Sequence, residues 1–454
     1  MQLNYKKVYF SGIGGIGVSA LAKMFLQSGV EVVGSDSNKS EITEEIEKLG
    51  IKVNYKQTAG NITGNFDLMI YSPAVSENNP ERQKAKKIEL IQKSYPEMLG
   101  KISKMFETVA VSGTNGKSTT TAMLAQILLD AGIDPTVILG SKMPRIDGNF
   151  HQGKSKYFVV EACEYRSHMM NLSPKAIILT NIEEDHLDYF KDLHHIISSF
   201  QQYIEKLGVD DLLVINNDDL NIAQLNLPDC KIMTYGINKV SDVMASNVHI
   251  KDGHQIFELA FKGENVGEVK LQVPGVFNVY NALAAICYAM SLNVSLEKIK
   301  NSLHSFPGLW RRFEKICNDD ITVISDYAHH PTAVAGTIQA ARDFYSGRRI
   351  IAVFQPHQHS RTKELFNEFV ESLINADVII LSEIFDVAGR EETKDQDVSS
   401  DDLAKELNEK GKEVYFTENL KKTIKQIQKV MQAGDVILVM GAGSVYTIVE
   451  KIIP

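Results

Sequence analysis

Length, composition and charge restrict the kind of protein that this sequence encodes. The chain has 454 residues, of which 44% are hydrophobic and 23% are charged. Such a composition is typical of a globular protein and excludes collagenous, disordered and disulfide-scaffold classes, and the length predicts roughly three domains. The 48 lysines and arginines against 57 aspartates and glutamates give a net charge of −9. That balance offers no general attraction to nucleic acid or to an anionic membrane.

Cysteine usage and hydropathy predict a cytoplasmic protein. The four cysteines are widely separated and form no CxxC pair, which indicates neither a zinc site nor a disulfide framework. No run of about 18 apolar residues is present that would span a bilayer. An apolar stretch after Lys7 resembles a signal peptide, but glycines between Gly12 and Gly17 interrupt it. We therefore expect no membrane insertion.

Short apolar runs alternate with helical patterns along the whole chain. This alternation predicts βαβ units and parallel sheets. The pattern starts afresh near residues 106 and 312, so we predict an α/β fold of three domains, 1–105, 106–311 and 312–454. The predicted strands are 8–11, 30–34, 68–71, 108–111, 157–161, 176–180, 212–215, 322–325, 350–354, 378–381 and 436–440. The predicted helices include 18–27, 42–49, 119–130 and 281–292, with short strands and turns over 236–274 and a solvated acidic loop and helix start over 395–402.

A glycine-rich turn follows the first predicted strand. Residues 12–17 read Gly-Ile-Gly-Gly-Ile-Gly and fit the pattern G-x-G-x-x-G. Glycines let backbone amides at a helix start approach a pyrophosphate, and an acidic residue about 20 positions later is placed to meet a ribose hydroxyl. Asp36 stands at that position. The pattern predicts a nucleotide ligand, and it leaves open whether that ligand is a dinucleotide cofactor or a UDP-sugar.

A second glycine-rich turn, after strand 108–111, is the strongest signal in the sequence. Residues 113–119 read Gly-Thr-Asn-Gly-Lys-Ser-Thr and precede a predicted helix, as a phosphate-binding loop does. In such a loop backbone amides surround phosphate oxygens, the lysine (Lys117) reaches the β- and γ-phosphates, and the following hydroxyl (Ser118) meets Mg²⁺. Val111 stands where the first glycine of the common pattern belongs. The loop is thus a variant, which points to a narrower family.

Polar side chains follow the next two predicted strands. Glu161 ends strand 157–161, and His186 lies a few residues beyond strand 176–180. Because ligands bind at the carboxyl ends of strands in open parallel sheets, we predict that Glu161 and His186 hold a divalent ion on ATP phosphates. A second ion would further shield a carboxylate that approaches the γ-phosphate.

The third block places histidines and arginines after its strands. Arg311 and Arg312 stand at its entry, and two further sets follow strands 322–325 and 350–354. These sets contain Asp326, His329 and His330, and then His357 and Arg361. Histidine and arginine at a sheet edge can bind a carboxylate, steady a phosphate or take a proton from an amine.

Taken together, these motifs resemble those of the ATP-dependent Mur ligases over nearly the whole chain. Within that family they are most similar to the members that add L-alanine. The segments that carry the resemblance are 12–22, 34–36, 72–75, 79–80, 113–121, 161–164, 180–188, 278, 281, 310–314, 326–331 and 354–361. The resemblance implies a Rossmann-like N-terminal domain, a central domain of the P-loop ATPase type and a Rossmann-like C-terminal domain that binds the amino acid.

The resemblance also implies a ligase that joins the muramyl carboxylate of UDP-N-acetylmuramate to L-alanine for peptidoglycan precursor synthesis. ATP would first phosphorylate that carboxylate to an acyl phosphate, which the neutral amine of the amino acid then attacks. Lys117, His330 and Arg361 would be the catalytic residues, with His330, His357 and Arg361 around the incoming amino acid. Mg²⁺ would bind Ser118, Glu161 and His186. The UDP-sugar would bind Gly12, Gly14, Gly15, Gly17, Asp36 and Ser72, and ATP would bind Gly113, Thr114, Asn115, Gly116, Lys117, Ser118, Thr119, Asn278, Asn281, Arg312 and Asp326.

The chain departs from the commonest pattern of the alanine-adding members at several positions. Asn115 replaces a usual histidine, Cys163 a frequent aspartate and Gln358 a second arginine, while Gln201 lies where some siblings carry a carbamylated lysine. A ligase that recycles a whole tripeptide onto the same UDP-sugar is the nearest alternative. A nicotinamide-dependent oxidoreductase and a P-loop ATPase that acts as a motor or switch are the alternatives from other classes.

Overall fold

The computed structural model describes residues 4–186, 189–318, 320–386 and 397–453. Residues 187–188 of the resembling segment 180–188 and residues 395–396 of the acidic stretch lie outside that part of the chain. The chain divides into two compact units. The first contains Met1–Ile182, His194–Tyr235 and Ala284–Ile299, and the second contains Glu183–Leu193, Gly236–Leu283 and Lys300–Pro454.

The N-terminal sheet of the first unit has five parallel strands in the order β3-β2-β1-β4-β5. Its elements are β1 (Lys7–Ser11), α1 (Ile16–Gln27), β2 (Glu31–Ser35), α2 (Glu41–Lys48), β3 (Lys52–Asn54), β4 (Leu68–Tyr71), α3 (Pro80–Lys87), β5 (Gln92–Ser94) and α4 (Tyr95–Ser103). The strand order reverses at β1. The carboxyl end of β1 is therefore the point of the sheet at which ligands bind in open parallel folds.

The second sheet of the first unit runs β12-β11-β10-β6-β9-β7-β8, and all its pairs are parallel except β7 with β8. Its strand β6 lies between β10 and β9, and its middle residues are fully buried. The elements are β6 (Glu107–Ser112), α5 (Lys117–Asp130), β7 (Thr136–Met143), β8 (Gly148–His151), β9 (Tyr157–Ala162), β10 (Ala176–Leu179), α6 (Leu193–Ile204), β11 (Leu212–Asn216) and β12 (Lys231–Gly236). Apolar runs of this kind suit strands that are covered on both faces.

The second unit begins its regular structure with an antiparallel meander, where the sequence predicts short strands and turns. Its strands are β13 (Val243–Lys251), β14 (His254–Phe261) and β15 (Glu264–Leu271). The helices α7 (Val276–Ser291) and α8 (Leu296–Ser305) follow in the chain. Helix α7 starts five residues before the predicted helix 281–292, directly after Gly275, whose φ is +99°. A left-handed glycine separates the strand region from the helix there.

The last sheet has six strands in the order β16-β17-β21-β18-β19-β20, with one antiparallel pair, β16 with β17. Its strands are β16 (Glu314–Asn318), β17 (Thr322–Asp326), β18 (Ile350–Phe354), β19 (Val378–Ser382), β20 (Glu413–Thr417) and β21 (Val436–Met440). Its helices are α9 (Pro331–Phe344), α10 (His359–Glu364), α11 (Phe366–Leu373), α12 (Ser400–Glu409) and α13 (Leu420–Val430). Buried clusters cover both faces of this sheet. The predicted α/β class with parallel-rich sheets is confirmed.

None of the helices in the described ranges combines the length and the apolar character that crossing a bilayer requires.

Candidate active site

The first glycine-rich turn joins β1 to α1 and leaves no room for a side chain at Gly12 or Gly14. Gly12 has a φ of +74°, and a Cβ there would lie 2.8 Å from the Cβ of Ser72. The amide of Gly14 donates to Asp36 Oδ2 at 2.8 Å, and a Cβ on Gly14 would lie 2.8 Å from the same oxygen. The structure thus brings Gly12, Gly14, Asp36 and Ser72 together at the carboxyl end of the N-terminal sheet.

The second glycine-rich turn joins β6 to α5 and is held by the residues that follow β10. Gly113 has a φ of +131°, and a Cβ there would collide with the hydroxyl of Thr180. The carbonyl of Asn181 accepts the amide of Thr114 at 3.0 Å, and its side-chain oxygen accepts the amide of Asn115 at 2.8 Å. Thr180 Oγ1 and Asn181 Nδ2 both donate to the carbonyl of Asn115, at 2.6 and 3.1 Å. These bonds fix the loop before any ligand arrives.

Lys117 is the first residue of α5, and its ammonium group lies within the loop. Its Nζ donates to the carbonyls of Gly113 and Thr114, the latter at 2.9 Å, and forms an ion pair with Glu164 at 2.9 Å. Burial by itself lowers the pKa of Lys117, but the neighbouring acidic groups, Glu164 foremost, together outweigh burial and raise it. The ammonium group is therefore a fixed positive charge within the loop, as phosphate binding requires.

Ser118 and Glu161 form the part of the predicted metal site that lies in the first unit. Ser118 Oγ donates to Glu161 Oε2 at 3.0 Å, and the amide of Gly140 donates to Glu161 Oε1. Among the residues that the structure describes, no group of three or more His, Cys, Asp or Glu side chains is arranged to hold a metal ion. Mg²⁺ prefers oxygen ligands and commonly takes one or two from protein, with phosphate oxygens and waters as the others. The hydroxyl and carboxylate of this pair fit that ion.

In the second unit, the two asparagines predicted near adenine lie at the start of α7. Asn278 Nδ2 donates to the carbonyl of Pro274 at 2.7 Å, and Asn281 Nδ2 donates to Asn278 Oδ1 at 3.1 Å. Both side chains are buried. Their amides orient one another, so they form one polar site at this helix start.

The two arginines at the entry of the last domain have different environments. Arg311 is buried, donates to the carbonyl of Gly443 at 3.2 Å and lies 4.3 Å from the ring centre of Tyr446. Arg312 lies 4.8 Å from the ring centre of Tyr327 and is partly exposed. Arg311 is therefore bound within the protein, whereas Arg312 is only partly buried.

Asp326, the last residue of β17, is a buried carboxylate held by backbone amides. It accepts the amides of Phe313 and Ala328, both at 2.7 Å. Burial raises its pKa, while Arg312 opposes that rise. The predicted pair Arg312 and Asp326 is thus electrostatically linked within one unit.

The predicted amino-acid residues form a second charged cluster in the same unit. Arg361 donates to His357 Nδ1 at 3.2 Å and to Asp185 Oδ1 at 2.8 Å. Burial opposes the charge of Asp185, but His186 and Arg361 keep the pKa of its carboxyl far below the usual range. Burial lowers the pKa of His330, so its imidazole is neutral near pH 7 and able to accept a proton.

Three family models match the chain in succession. The Mur ligase family catalytic domain matches residues 7–107, the Mur ligase middle domain matches residues 111–289, and the Mur ligase glutamate ligase domain matches residues 311–443. Together these matches cover most of the chain.

The chain belongs to the Mur ligase family. Curated relatives extend over nearly its full length. A UDP-N-acetylmuramate–L-alanine ligase of Clostridium tetani is 41% identical over 446 residues, which cover 97% of this chain and 96% of the relative. A ligase of the same name from Caldanaerobacter subterraneus is 39% identical and covers 98% of this chain and 97% of the relative. The resemblance read from the sequence motifs is confirmed.

Solved structures support the fold of this Mur ligase. The crystal structure of a UDP-N-acetylmuramate–alanine ligase from Thermotoga maritima matches with a TM-score of 0.85 and 30% identity, covering 99% of this chain and 98% of the other. A murein peptide ligase from Psychrobacter arcticus matches with a TM-score of 0.76 at 24% identity, covering 98% of each chain; this second match shows a shared fold. The predicted three-domain α/β architecture is confirmed.

The predicted site residues of this Mur ligase fall into groups. Gly12, Gly14, Asp36 and Ser72 form one group, and the loop 113–119 with Glu161 forms another, both in the first unit. Asn278 and Asn281 contact each other in the second unit, which also contains His186 and the set of Arg312, Asp326, His330, His357 and Arg361. Gly15 is the residue before α1, and Gly17 is the second residue of that helix, where a Cβ would lie 2.7 Å from the ring of Tyr95.

Sequence reasoning assigned no role to four residues that hold the predicted site. Glu164 pairs with Lys117, Asn181 and Thr180 hold the phosphate-binding loop, and Asp185 pairs with Arg361. A usable signal existed for Thr180 and Asn181, because they directly follow a strand that borders β6 in the sheet. No signal in one sequence pairs Asp185 with a residue 176 positions away.

Proposed function

We propose that this Mur ligase forms the amide bond between the muramyl carboxylate of UDP-N-acetylmuramate and L-alanine, with ATP as the co-substrate. The proposal rests on one observation above the others, the 41% identity to a curated UDP-N-acetylmuramate–L-alanine ligase over 97% of the chain. This product is a peptidoglycan precursor. Family membership argues against the nicotinamide-dependent oxidoreductase and against a motor or switch ATPase.

In this proposal each of the three predicted domains binds one of the three substrates. Residues 1–105 bind the UDP-sugar, residues 106–311 bind ATP, and residues 312–454 bind the amino acid. The succession of the three family models at 7–107, 111–289 and 311–443 supports this division. The tight turn at Gly12 and Gly14 supports a diphosphate ligand, because only backbone can face the ligand there.

The first chemical step brings two anions together. The carboxylate of the sugar substrate must attack the γ-phosphate, so the site has to neutralise their repulsion. Lys117 supplies a fixed positive charge, and the loop amides at the start of α5 add the partial positive charge of a helix N-terminus. Mg²⁺ bound by Ser118, Glu161 and His186 would supply further positive charge to the phosphates. The product of this step is an acyl phosphate and ADP.

The second step needs an amine that has lost its proton. We assign the amino-acid carboxylate to Arg361, whose guanidinium matches a carboxylate in geometry. His330 is neutral and buried, so it can accept the proton that the attacking amine releases, and His357 contacts Arg361 and orients it. Asn278, Asn281, Arg312 and Asp326 would complete the ATP site. The amine attacks the acyl carbon and phosphate leaves.

We also propose a cytoplasmic location, because the substrates are nucleotide compounds and no disulfide joins any of the four cysteines. The partners in this proposal are the two substrates and ATP, without nucleic acid.

The deciding experiment is phosphate release from ATP and Mg²⁺ with UDP-N-acetylmuramate and each amino acid added in turn. Release that requires both the sugar nucleotide and L-alanine is the expected result. Release with a tripeptide but not with L-alanine would instead identify a recycling ligase. ATP turnover that needs no sugar nucleotide would contradict both forms of the proposal.

A further inference from the structure

A buried carboxylate that takes no part in the proposed reaction binds the strand ends beside the first glycine-rich turn. Glu81, in the first turn of α3, has no exposed surface. Its Oε1 accepts Tyr9 OH and Asn61 Nδ2, both at 2.7 Å. Its Oε2 accepts the hydroxyls of Ser11 and Ser35, at 2.6 and 2.7 Å. All four donors are neutral side chains, so the negative charge of Glu81 is held by hydrogen bonds alone among these partners.

The donors are themselves oriented by a second row of amides. Asn79 Nδ2 donates to Gln57 Oε1 at 2.8 Å, and Gln57 Nε2 donates to the hydroxyls of Ser11 and Ser35 at 3.4 and 3.3 Å. Each serine hydroxyl that accepts from Gln57 is left to donate its own proton to Glu81. The hydrogen bonds are therefore all donated in the same sense, from Asn79 through Gln57 and the two serines to the carboxylate of Glu81.

Tyr9 is a donor of the same kind. Burial, and to a lesser extent the charge of Glu81, raises the pKa of Tyr9, so that its phenol keeps its proton. Asn79 closes the network from the other side, because its side-chain oxygen accepts the backbone amide of Glu81 at 2.9 Å. The carboxylate is thus fixed both by its side chain and by the cap of its own helix.

The position of the two serines gives this network a consequence for the ligand site. Ser11 and Ser35 are the last residues of β1 and β2, and each directly precedes a predicted ligand residue, Gly12 or Asp36. The carbonyl of Ser35 also accepts the amide of Gly12 at 2.9 Å. One carboxylate therefore binds both strand ends from which the turn and Asp36 emerge.

We propose that Glu81 is a positioning residue for the nucleoside diphosphate sugar, because it joins the ends of β1 and β2 and so holds the Gly12 turn and Asp36 in the arrangement that receives the diphosphate and ribose. Glu81 touches no ligand in this proposal; it acts through Ser11 and Ser35. The proposal rests on the function proposed above, since it takes the N-terminal domain as the UDP-sugar site.

The test is the Glu81→Gln variant. The glutamine amide places an N–H₂ group against at least one pair of the four donors, so the strand ends shift while the volume of the side chain is kept. We expect the KM for UDP-N-acetylmuramate to rise about tenfold, because the variant lacks the charged carboxylate that accepts four hydrogen bonds. The KM for ATP and kcat at saturating UDP-sugar should change by less than about twofold. Calorimetric titration with UDP-N-acetylmuramate alone should show the same loss of affinity.

A matched control separates positioning from general stabilisation. Asp435 is another buried carboxylate, bound by Arg349 at 2.8 Å in the C-terminal domain. Asp435→Asn should lower the thermal unfolding midpoint without a selective rise in the KM for UDP-sugar. If Glu81→Gln does not fold, Ser35→Ala removes one donor and leaves the charge in place, and a rise of about threefold in the same KM is then expected.

The outcomes distinguish this inference from the proposed function. A folded Glu81→Gln enzyme with an unchanged KM for UDP-sugar, or with equal losses for all three substrates, would overturn the positioning role and leave the ligase assignment intact. Wild-type protein that neither binds UDP-N-acetylmuramate nor requires it for phosphate release would contradict the proposed function, and the positioning role with it.

Discussion

The two glycine-rich turns of the first unit share a backbone design but differ in their charges. Each follows a buried parallel strand and begins a helix, and each contains a glycine with positive φ that a side chain would not fit. The loop after β6 contains Lys117, which faces Glu164. The turn after β1 contains no charged residue. Asp36 accepts the amide of Gly14 in the turn, and Glu81 accepts the hydroxyl of Ser11, the residue before the turn.

Under the function proposed above, this difference means that the turn geometry selects a phosphate-containing ligand and that the neighbouring charges select the chemistry. A turn of uncharged residues that is held by neighbouring hydroxyls and carboxylates can bind a diphosphate through backbone amides without promoting a reaction on it. A turn that carries an ammonium group and a Mg²⁺-compatible carboxylate can stabilise charge that develops on a transferring phosphoryl group. Substitutions in one turn should therefore affect binding, and those in the other should affect turnover.

The largest effect is expected from Lys117→Ala. Removal of the ammonium group takes away charge stabilisation at the γ-phosphate, which we expect to lower kcat for phosphate release by about a thousandfold. Affinity for UDP-N-acetylmuramate, measured by calorimetry, should stay within about twofold of wild type, because we assign that ligand to the other turn. If Lys117→Ala also lost affinity for the UDP-sugar, the two turns would not have separate functions, and this prediction would be contradicted.

Glu161→Gln should give the next largest effect. The amide cannot supply the negative charge that a Mg²⁺ ligand provides, so we expect kcat to fall about a hundredfold and the half-saturating Mg²⁺ concentration to rise. Steady-state kinetics over a range of Mg²⁺ concentrations measures both. Glu107→Gln is a matched control, since that carboxylate pairs with Lys156 at the opposite end of β6 and should leave Mg²⁺ dependence unaltered. Unchanged Mg²⁺ dependence in Glu161→Gln would remove Glu161 from the metal site.

A smaller effect is expected in the first turn. In Gly14→Ala the new Cβ would meet Asp36 Oδ2 at 2.8 Å and Thr43 Cγ2 at 2.9 Å. The KM for UDP-sugar should therefore rise about tenfold, while the KM for ATP remains unaffected. Gly60→Ala is the control, because its Cβ would have Thr58 Oγ1 at 3.7 Å as its neighbour. Equal KM values for both variants would show that the turn does not contact the sugar nucleotide.

The smallest effect is expected from thiol alkylation near the second turn. Burial, with the charge of Glu164, raises the pKa of Cys163 to about 12. Since the thiolate is the reactive form and its fraction falls tenfold for each unit of pKa above the pH, Cys163 should react very slowly with iodoacetamide at pH 8 and faster as the pH rises. Activity should fall by less than about twofold under conditions that alkylate an unperturbed thiol fully. Peptide mass spectrometry measures the modification, and rapid alkylation of Cys163 at pH 8 would contradict this environment.

Much of the fold and of the second turn could be predicted from the sequence, because the signals are local. The strand predicted at 436–440 is β21 without any change of bounds. The loop 113–119 follows β6 as predicted, and α5 begins within it at Lys117, two residues before the predicted start. The start of α7 was wrong by five residues, since Gly275 rather than Asn281 marks the boundary. The antiparallel meander β13–β15 was predicted as strands and turns without its pairing, which depends on the register between segments.

Residue types and their spacing alone determined the α/β class, the two glycine-rich turns and the family, because glycine patterns and apolar periodicity lie in consecutive positions of the chain. Only the tertiary structure decided which charges face one another. Glu81 bonds to Tyr9 across 72 positions, Lys117 to Glu164 across 47, and Arg361 to Asp185 across 176. Electrostatic interactions and hydrogen bonds act over a few ångströms in space. The number of residues between two partners along the chain does not reveal that distance, so the sequence could not predict these pairs.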